Sequence, residues 1–282
     1  MGKIKYICTG FIDSFLGTRL LCFVLVQLLV IHDDLEGFLH FCQHVKCPAT
    51  PYVLLFLIQN FYFVMIYGLC CVYFFTEVPY MQSQQLYSIM RMGRVKWLWD
   101  KLLRVWISAF FLVVVEAGLT VLLMLRQVEW SLDWGKVWYS LALTGATGEY
   151  NMKIGVPYQI INSYTPIQAM GKTLLLMFLI TGLIGTFMYV WSLLLSRSSA
   201  VIMAGIFCVM TLVYINLGLE FPFLSFITPL EWMDLRLLDG QLSQLHPSFW
   251  GIVIAVVLFF VSAAVLATGK IKSMDIHLVN EE

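Results

Sequence analysis

Residues 87–104, YSIMRMGRVKWLWDKLLR, hold five basic residues and two tryptophans between two long apolar segments. Basic residues beside tryptophan are typical of the point where a membrane-spanning chain meets the cytosol. If the stretch is one helix, with about 100° of rotation per residue, Arg91, Arg94 and Lys101 fall within an arc of about 80°. Such a basic stripe could bind a soluble partner, or it could simply orient the chain in the membrane.

The composition on either side of this stretch indicates a membrane protein. Hydrophobic residues make up 60% of the 282 residues and charged residues only 12%, about half the charged fraction of a soluble domain. Six apolar segments reach the length of about 20 residues that a spanning helix needs. They are residues 14–32, 52–75, 104–125, 172–195, 200–219 and 249–268. We therefore predict an all-α, polytopic chain with a single transmembrane domain over residues 1–282 and no separate soluble domain.

The distribution of lysine and arginine predicts how these spans are oriented. The cytosolic loops carry the higher density of basic residues when both termini are placed inside, as the positive-inside rule requires. In that orientation, residues 76–103 form a cytosolic segment between the second and third spans.

The loops on the opposite side are long enough to be functional. In the first of the two long ones, residues 127–171, Trp130, Trp134 and Trp138 recur every four residues and predict a helix lying at the outer interface. The second, residues 220–248, is apolar but broken by proline, which favours re-entrant or interfacial helices over a further span. The turn between spans four and five is minimal and predicts a tight hairpin.

Polar residues inside the predicted spans are candidates for lining a pathway, because an ionisable side chain in hydrocarbon costs at least about 2.5 kcal/mol and usually faces a cavity or a partner. Hydrogen bonding between helices is the alternative, and for the glutamate both interpretations stay open. The candidates are Gln59, Asn60, Glu116 and Asn216.

Sites for chemistry are weakly marked in the sequence. Gly171-Lys172-Thr173 resembles the end of a phosphate-binding loop, but Pro166 stands where that motif has a glycine. We find no pattern with catalytic, cofactor-binding or metal-ligand spacing. Cys42 and Cys47 share the first outside loop and could form a disulfide in an oxidising compartment.

The six spans, the basic segment before span three, the tight hairpin and the proline-broken outer loop together resemble the permease subunits of type-2 exporter-class ABC transporters. The most specific part is Tyr87-x3-Arg91-x-Gly93-Arg94-x2-Trp97-x3-Lys101, which is similar to the arginine-rich segment before span three of those permeases. The resemblance implies that residues 78–90 supply a coupling helix that docks on a separate ATPase subunit. It places these residues at the interface: Gln84, Tyr87, Arg91, Arg94, Trp97 and Lys101.

The resemblance also implies a function and partners. The chain would pair with a second permease copy or paralogue and with a dimer of ATPase subunits, which bind the ATP and Mg²⁺, so it would itself bind no cofactor and break no bond. It would work in the plasma membrane of a Gram-positive bacterium and export drugs, antimicrobial peptides or lipid-like molecules, without binding nucleic acid. One alternative is a membrane enzyme acting on lipid or peptide, with its site in the outer loops around Glu149, Glu231, Asp234 and His246. A further alternative is an immunity or sensor protein acting at the outer membrane face.

Overall fold

The computed structural model describes residues 17–76, 89–144, 146–150, 152–217, 222–238 and 247–273, and in this part helices make up most of the chain and no strand forms. The predicted all-α fold is confirmed for these residues. The α-helices, in chain order, are α1 Thr18–Val45, α2 Val53–Leu57, α3 Phe61–Phe75, α4 Arg94–Met124, α5 Gly135–Leu143, α6 Ala146–Glu149, α7 Tyr158–Ser163, α8 Pro166–Leu194, α9 Arg197–Leu217, α10 Leu235–Leu238 and α11 Phe249–Ser273. Two 3-10 helices, Pro222–Phe226 and Pro229–Met233, precede α10.

Four of these helices, α4, α8, α9 and α11, are long and apolar enough to cross a membrane. They match the third to sixth predicted spans in position. A spanning helix needs about 20 mostly apolar residues, and each of the four has at least 21. Their number and composition are those of a multi-pass membrane protein.

The segment predicted as span two, residues 52–75, forms two helices rather than one, namely α2 and α3. The chain breaks at Gln59 and Asn60, and the Asn60 side chain accepts a hydrogen bond from the Tyr62 backbone N–H at 3.1 Å. Asparagine favours this capping position because its oxygen satisfies a backbone N–H that the first helical turn leaves unpaired. At 15 residues, α3 extends about 23 Å, less than the hydrocarbon core of about 30 Å.

The segment predicted as span one, residues 14–32, continues into a longer helix. With 28 residues, α1 extends about 42 Å. Its first half is apolar, whereas its second half carries Asp33, Asp34 and Glu36. These acidic residues distinguish α1 from the four helices with long apolar stretches.

The central helix of the bundle is α8, which packs against α3, α4, α9 and α11. In its apolar stretch 72% of the residues are buried, against 22% for both α9 and α11. Two glycines allow α4 to approach closely. A Cβ on Gly185 would lie 2.5 Å from Val105 Cγ1, and one on Gly182 would lie 2.7 Å from the Trp106 ring. Small residues have this role at helix contacts in membranes.

The outer helices of the bundle present large apolar side chains to their surroundings. On α11, Trp250 is 70% exposed, and Leu258 and Val265 are each 63% exposed. On α9, Ile202 and Ile206 are also exposed. Extended apolar surfaces of this kind are unfavourable in water and are typical of helices that face lipid or a partner helix.

The prediction that three tryptophans share one face of an interfacial helix is wrong. Helix α5 begins only at Gly135, whose φ of +74° sets the turn into the helix. Trp130 therefore lies before the helix and is 73% exposed, whereas Trp134 and Trp138 are buried. Trp134 and Trp138 are packed inside the protein, and of the three only Trp130 is exposed as a residue of an aromatic belt would be.

The two buried tryptophans hold α5 against α1 and α2. The Trp138 ring stacks on Phe38 at 4.9 Å and on Phe56 at 4.6 Å between centroids. Its indole N–H donates to Thr50 Oγ1 at 2.9 Å, and the Thr50 hydroxyl donates to the Trp134 carbonyl at 3.0 Å. Trp134 donates in turn to the Tyr164 carbonyl at 3.0 Å, so the indole N–H groups of Trp134 and Trp138 both have a partner.

The two remaining connections have the predicted form. Helices α8 and α9 are joined by a minimal turn in which the Ser199 backbone N–H donates to Ser196 Oγ at 3.3 Å. The second of the long loops predicted to lie outside, which we call the last outer loop, is described over residues 222–238; this part consists of short helices and contains no spanning helix. This loop reaches into the bundle, because a Cβ on Gly68 of α3 would lie 2.7 Å from Leu230 Cδ1.

Candidate functional site

The basic stripe before span three is interrupted by a glycine. Residues 89–92 form a short helical turn, and Gly93 with φ +84° separates it from α4. The expectation that Arg91, Arg94 and Lys101 share one helical arc is therefore wrong for Arg91, although Arg94 and Lys101 are seven residues apart on α4. Gln84 and Tyr87, with most of the predicted coupling helix, lie outside the described residues.

Arg94 is engaged within the bundle. Its guanidinium donates to the backbone carbonyls of Ile271 at 3.4 Å and Lys272 at 3.1 Å, at the carboxyl end of α11. The last carbonyls of a helix have no partner within the helix, and a cation there also offsets the negative end of the helix dipole. Arg94 thus ties the start of α4 to the end of α11.

Trp97 and Lys101 support the same junction. Trp97 is buried in a cluster with Leu102, Leu193 and Ala267. The Lys101 ammonium lies 5.8 Å from the centre of the Trp97 ring, a cation–π distance. Of the basic residues in this region, Arg91 and Lys96 are the exposed ones, so these two are the charges that a soluble partner could contact.

Replacing Arg94 with alanine is expected to loosen the end of α11. The loss of these hydrogen bonds and of the dipole interaction should cost about 1 kcal/mol. We expect trypsin to cut faster after Lys270 and Lys272 in the purified protein, with the rate measured by mass spectrometry. The matched control is Arg91→Ala, which removes an exposed arginine and should leave the cleavage rate unchanged. Equal rates for the two variants would contradict this role of Arg94.

Glu116 lies in the centre of the bundle. Its side chain is fully buried in α4, and no described residue forms a hydrogen bond with either carboxylate oxygen. It lies near enough to Tyr67, Cys70 and Cys71 of α3 to interact with them electrostatically. The structure therefore places the predicted pathway residue inside the bundle and provides no ion pair for it within the described residues.

The predicted pathway residues Asn60 and Asn216 have structural contacts. The Asn60 amide donates to Asp34 Oδ1 at 3.1 Å and so joins the start of α3 to α1. Burial raises the pKa of Asp34 to about 6, and the charge of Lys153 opposes this rise. Asn216 is exposed on α9, where its amide donates to the Leu212 carbonyl of the same helix at 2.7 Å. For Asn60, the hydrogen bond to Asp34 of α1 explains why a polar side chain stands in an apolar segment.

Gln59 lies at a cavity of about 200 Å³, where the break between α2 and α3 meets α9 and residues 230–237. We call it the outer cavity, because the predicted topology places it on the outer side. The cavity is lined by Gln59, Tyr214, Glu231, Asp234 and Arg236 together with apolar side chains. Burial raises the pKa of Glu231 to about 8; the neighbouring Asp234 adds to this rise and Arg236 opposes it. The cavity thus brings Gln59, which was predicted to line a pathway, next to Glu231 and Asp234, which were predicted for an enzyme site at the outer face.

The arginine of this cavity was missed at the sequence level, although it organises the site. Arg236 Nε donates to Asp234 Oδ2 at 2.8 Å, its Nη2 lies 2.6 Å from the same oxygen, and Nη2 also donates to the Gln59 carbonyl at 3.0 Å. The pattern Asp-x-Arg in a loop does not by itself predict a binding or catalytic site. Of the other residues of the outer-face alternative, Glu149 is exposed on α6 and does not line the cavity, and His246 lies outside the described residues.

The two cysteines predicted to share the first outside loop are free thiols; Cys42 is buried near the end of α1, and Cys47 is partly buried in the connection that follows. Burial raises the pKa of the Cys42 thiol to about 12, so this group is a poor nucleophile. Their pairing in an oxidising compartment stays a prediction. In the described part of the chain, no group of three or more histidine, cysteine or acidic side chains is placed to hold a metal ion.

Comparison with known proteins adds no relative. No protein-family model, curated protein or solved structure significantly matches this chain. Arguments about function therefore rest on the residues and their geometry.

Proposed function

We propose that this chain is the permease subunit of an ATP-driven exporter in a bacterial plasma membrane and that it couples to a separate ATPase subunit. The observation that carries the proposal is the continuity of α4. This helix runs without a break from its basic end at Arg94 to the buried Glu116, a distance of about 33 Å along the axis. A displacement applied to the cytosolic end of such a helix moves the residues in the bundle centre with it.

The proposal assigns six spans with both termini in the cytosol. The last four are α4, α8, α9 and α11. The apolar half of α1 supplies the first, and α2 with α3 supplies the second. In this arrangement residues 76–93 lie on the cytosolic side, and α5 and the 3-10 helices lie on the outer side. The density of basic residues in the loops supports this orientation.

The mechanism is mechanical. ATP binding draws two ATPase subunits together, and the segment before α4 moves with the subunit on which it docks. Because α8 packs against α3, α4, α9 and α11, a shift of α4 is passed to the whole bundle, which then changes between two packed states. The exposed apolar faces of α9 and α11 are available to lipid and to a second permease copy or paralogue. Drugs, antimicrobial peptides and lipid-like molecules are the proposed substrates.

Charge reversal at the two exposed basic residues tests the proposal. We expect Arg91→Glu with Lys96→Glu to reduce the amount of ATPase that co-purifies with the chain by about tenfold or more, because like charges across an interface cost several kcal/mol. The measurement is the amount of co-purified ATPase and its ATP hydrolysis after extraction from the native host in mild detergent.

The matched control reverses two exposed charges on the other side of the bundle, Arg126→Glu with Lys136→Glu. It carries the same change in net charge and should keep its ATPase. A wild-type chain that purifies without any ATPase would overturn the proposed function. Equal recovery of the ATPase with both double variants would show that Arg91 and Lys96 do not lie at the interface.

A further inference from the structure

The outer cavity is large enough for a small ligand. Its volume of about 200 Å³ would hold about six or seven water molecules, at roughly 30 Å³ each. The cavity is lined by the apolar side chains of Ile58, Val64 and Leu230, among others, and by the aromatic residues Phe61 and Tyr214. A ligand that fills it should therefore carry an apolar body.

The polar atoms of the cavity are incompletely bonded. Glu231 Oε1 and both amide atoms of Gln59 are buried and have no hydrogen-bond partner within the described residues. Buried polar side-chain atoms in proteins nearly always have a partner, and leaving one without costs about 1–3 kcal/mol. Gln59 and Glu231 come from distant parts of the chain and both line this cavity, so a single ligand bound there could reach both side chains.

The charges of the cavity favour a cation. Asp234 and Arg236 neutralise each other, and the Asp234 carboxylate also accepts from the Arg236 backbone N–H at 2.9 Å. Glu231 is then left as the one unbalanced acidic group among the lining residues. A ligand with one positive charge would complete the balance.

We propose that this cavity binds an organic ammonium group, with Glu231 and the Gln59 side-chain oxygen accepting its N–H donors. The rings of Phe61 and Tyr214 add the aromatic surface that attracts ammonium groups. A hard inorganic cation fits less well, since such ions take about six oxygen ligands and most of the lining is apolar. This binding site goes beyond the proposed transport function and does not rest on it, because binding can be measured on the purified chain without any ATPase.

Binding should strengthen with rising pH. The groups that face Glu231 are Asp234 and Arg236 from its own loop, Tyr214 from α9 and Gln59 from the link between α2 and α3; α8 also packs on this loop but contributes no lining residue. With the pKa of Glu231 raised to about 8, the carboxyl is mostly protonated at pH 7 and mostly ionised at pH 9. We expect about tenfold tighter binding at pH 9, because only the ionised form balances the ligand's charge.

The experiment uses the full chain in lipid nanodiscs and ligand-observed NMR titration, with empty nanodiscs as the blank. The probe is n-butylammonium. Its comparator is tetramethylammonium, which has the same charge and the same number of heavy atoms but no N–H donor. We expect tetramethylammonium to bind about tenfold more weakly, because it leaves the oxygens of Glu231 and Gln59 without a donor.

Two variants separate the site from the general effect of charge. Glu231→Gln keeps the shape and should weaken n-butylammonium binding at pH 9 by about tenfold and remove its pH dependence. Gln59→Met should weaken binding severalfold at both pH values while keeping the pH dependence. The matched control is Glu129→Gln, which neutralises an exposed carboxylate elsewhere on the outer side and should change nothing.

Several results would overturn the inference. They are the absence of saturable binding in the wild-type chain at pH 9, equal affinity of the wild type and Glu231→Gln, and displacement of the amine when sodium replaces potassium at constant ionic strength.

A free amine and a lysine side chain of a peptide both present an ammonium group to this cavity. Tighter binding of N-acetyl-lysine N-methylamide than of n-butylammonium would assign the site to peptide lysines, and the reverse order would assign it to free amines.

Discussion

Replacing Gly185 with leucine is expected to prevent the chain from reaching its folded state in the membrane. A Cβ at this position would already lie 2.5 Å from Val105 Cγ1 and 3.0 Å from the Phe75 ring, so a leucine forces α8 away from α3 and α4. Overpacking of this kind usually costs about 1–3 kcal/mol. A side chain added between three helices should exceed that range. The measurement is the fraction of the chain that elutes as a single folded species after detergent extraction.

The control lies in the same helix. Apart from its chain neighbours and the backbone of its own helix, no described residue has an atom within 4 Å of the position that a Cβ on Gly171 of α8 would take, so Gly171→Leu should elute like the wild type. Gly185→Ala is expected to fall between the two, with a cost of about 1–3 kcal/mol in thermal unfolding. A folded and normally stable Gly185→Leu variant would show that α4 and α8 do not approach each other as closely as the structure places them.

Replacing Glu116 with methionine is expected to make the chain more stable and less active. The buried carboxyl group has no hydrogen-bond partner within the described residues, and a buried polar group in that condition costs about 1–3 kcal/mol. Methionine is similar in length and removes this cost, so the free energy of unfolding should rise by about 2 kcal/mol. Thermal unfolding in detergent, followed by tryptophan fluorescence, measures the first effect.

The activity is tested separately with Glu116→Gln, which preserves the shape of the side chain. If Glu116 lines the pathway, this variant should lose transport while it still assembles with its partners. Glu129→Met is the control for stability, because Glu129 is exposed and its replacement should leave the unfolding temperature unchanged. A destabilised Glu116→Met would mean that the carboxyl has a stabilising partner, and unchanged transport by Glu116→Gln would leave Glu116 with a structural role.

Of the two candidate sites, the buried Glu116 was predictable from the sequence and the outer cavity was not. The burial of Glu116 followed from its position in an apolar segment, since a lone ionisable residue there must be enclosed by helices. The outer cavity did not follow. Gln59 and Glu231 are 172 positions apart in the numbering, and only the packing of the last outer loop on α3 brings them to one cavity.

The helical class, the positions of the four long apolar helices and the tight turn between α8 and α9 could all be predicted from the amino-acid sequence. Each of these depends on local properties, namely the length of an apolar segment and the residues at its ends. The break at Asn60 is also local, because asparagine caps a helix better than it continues one, although the apolar residues around it predicted a single span.

The contacts of the conspicuous side chains depend on how the helices pack and could not be predicted from the sequence. Arg94 and Trp97 had the pattern of a partner interface, yet Arg94 holds the end of α11 and Trp97 is buried beneath it. Trp138 had the spacing of an interfacial residue and packs instead against α1 and α2. The spacing of residues along a helix determines which of them lie on the same face. The element that covers this face comes from a distant part of the chain, and its identity depends on how the helices pack.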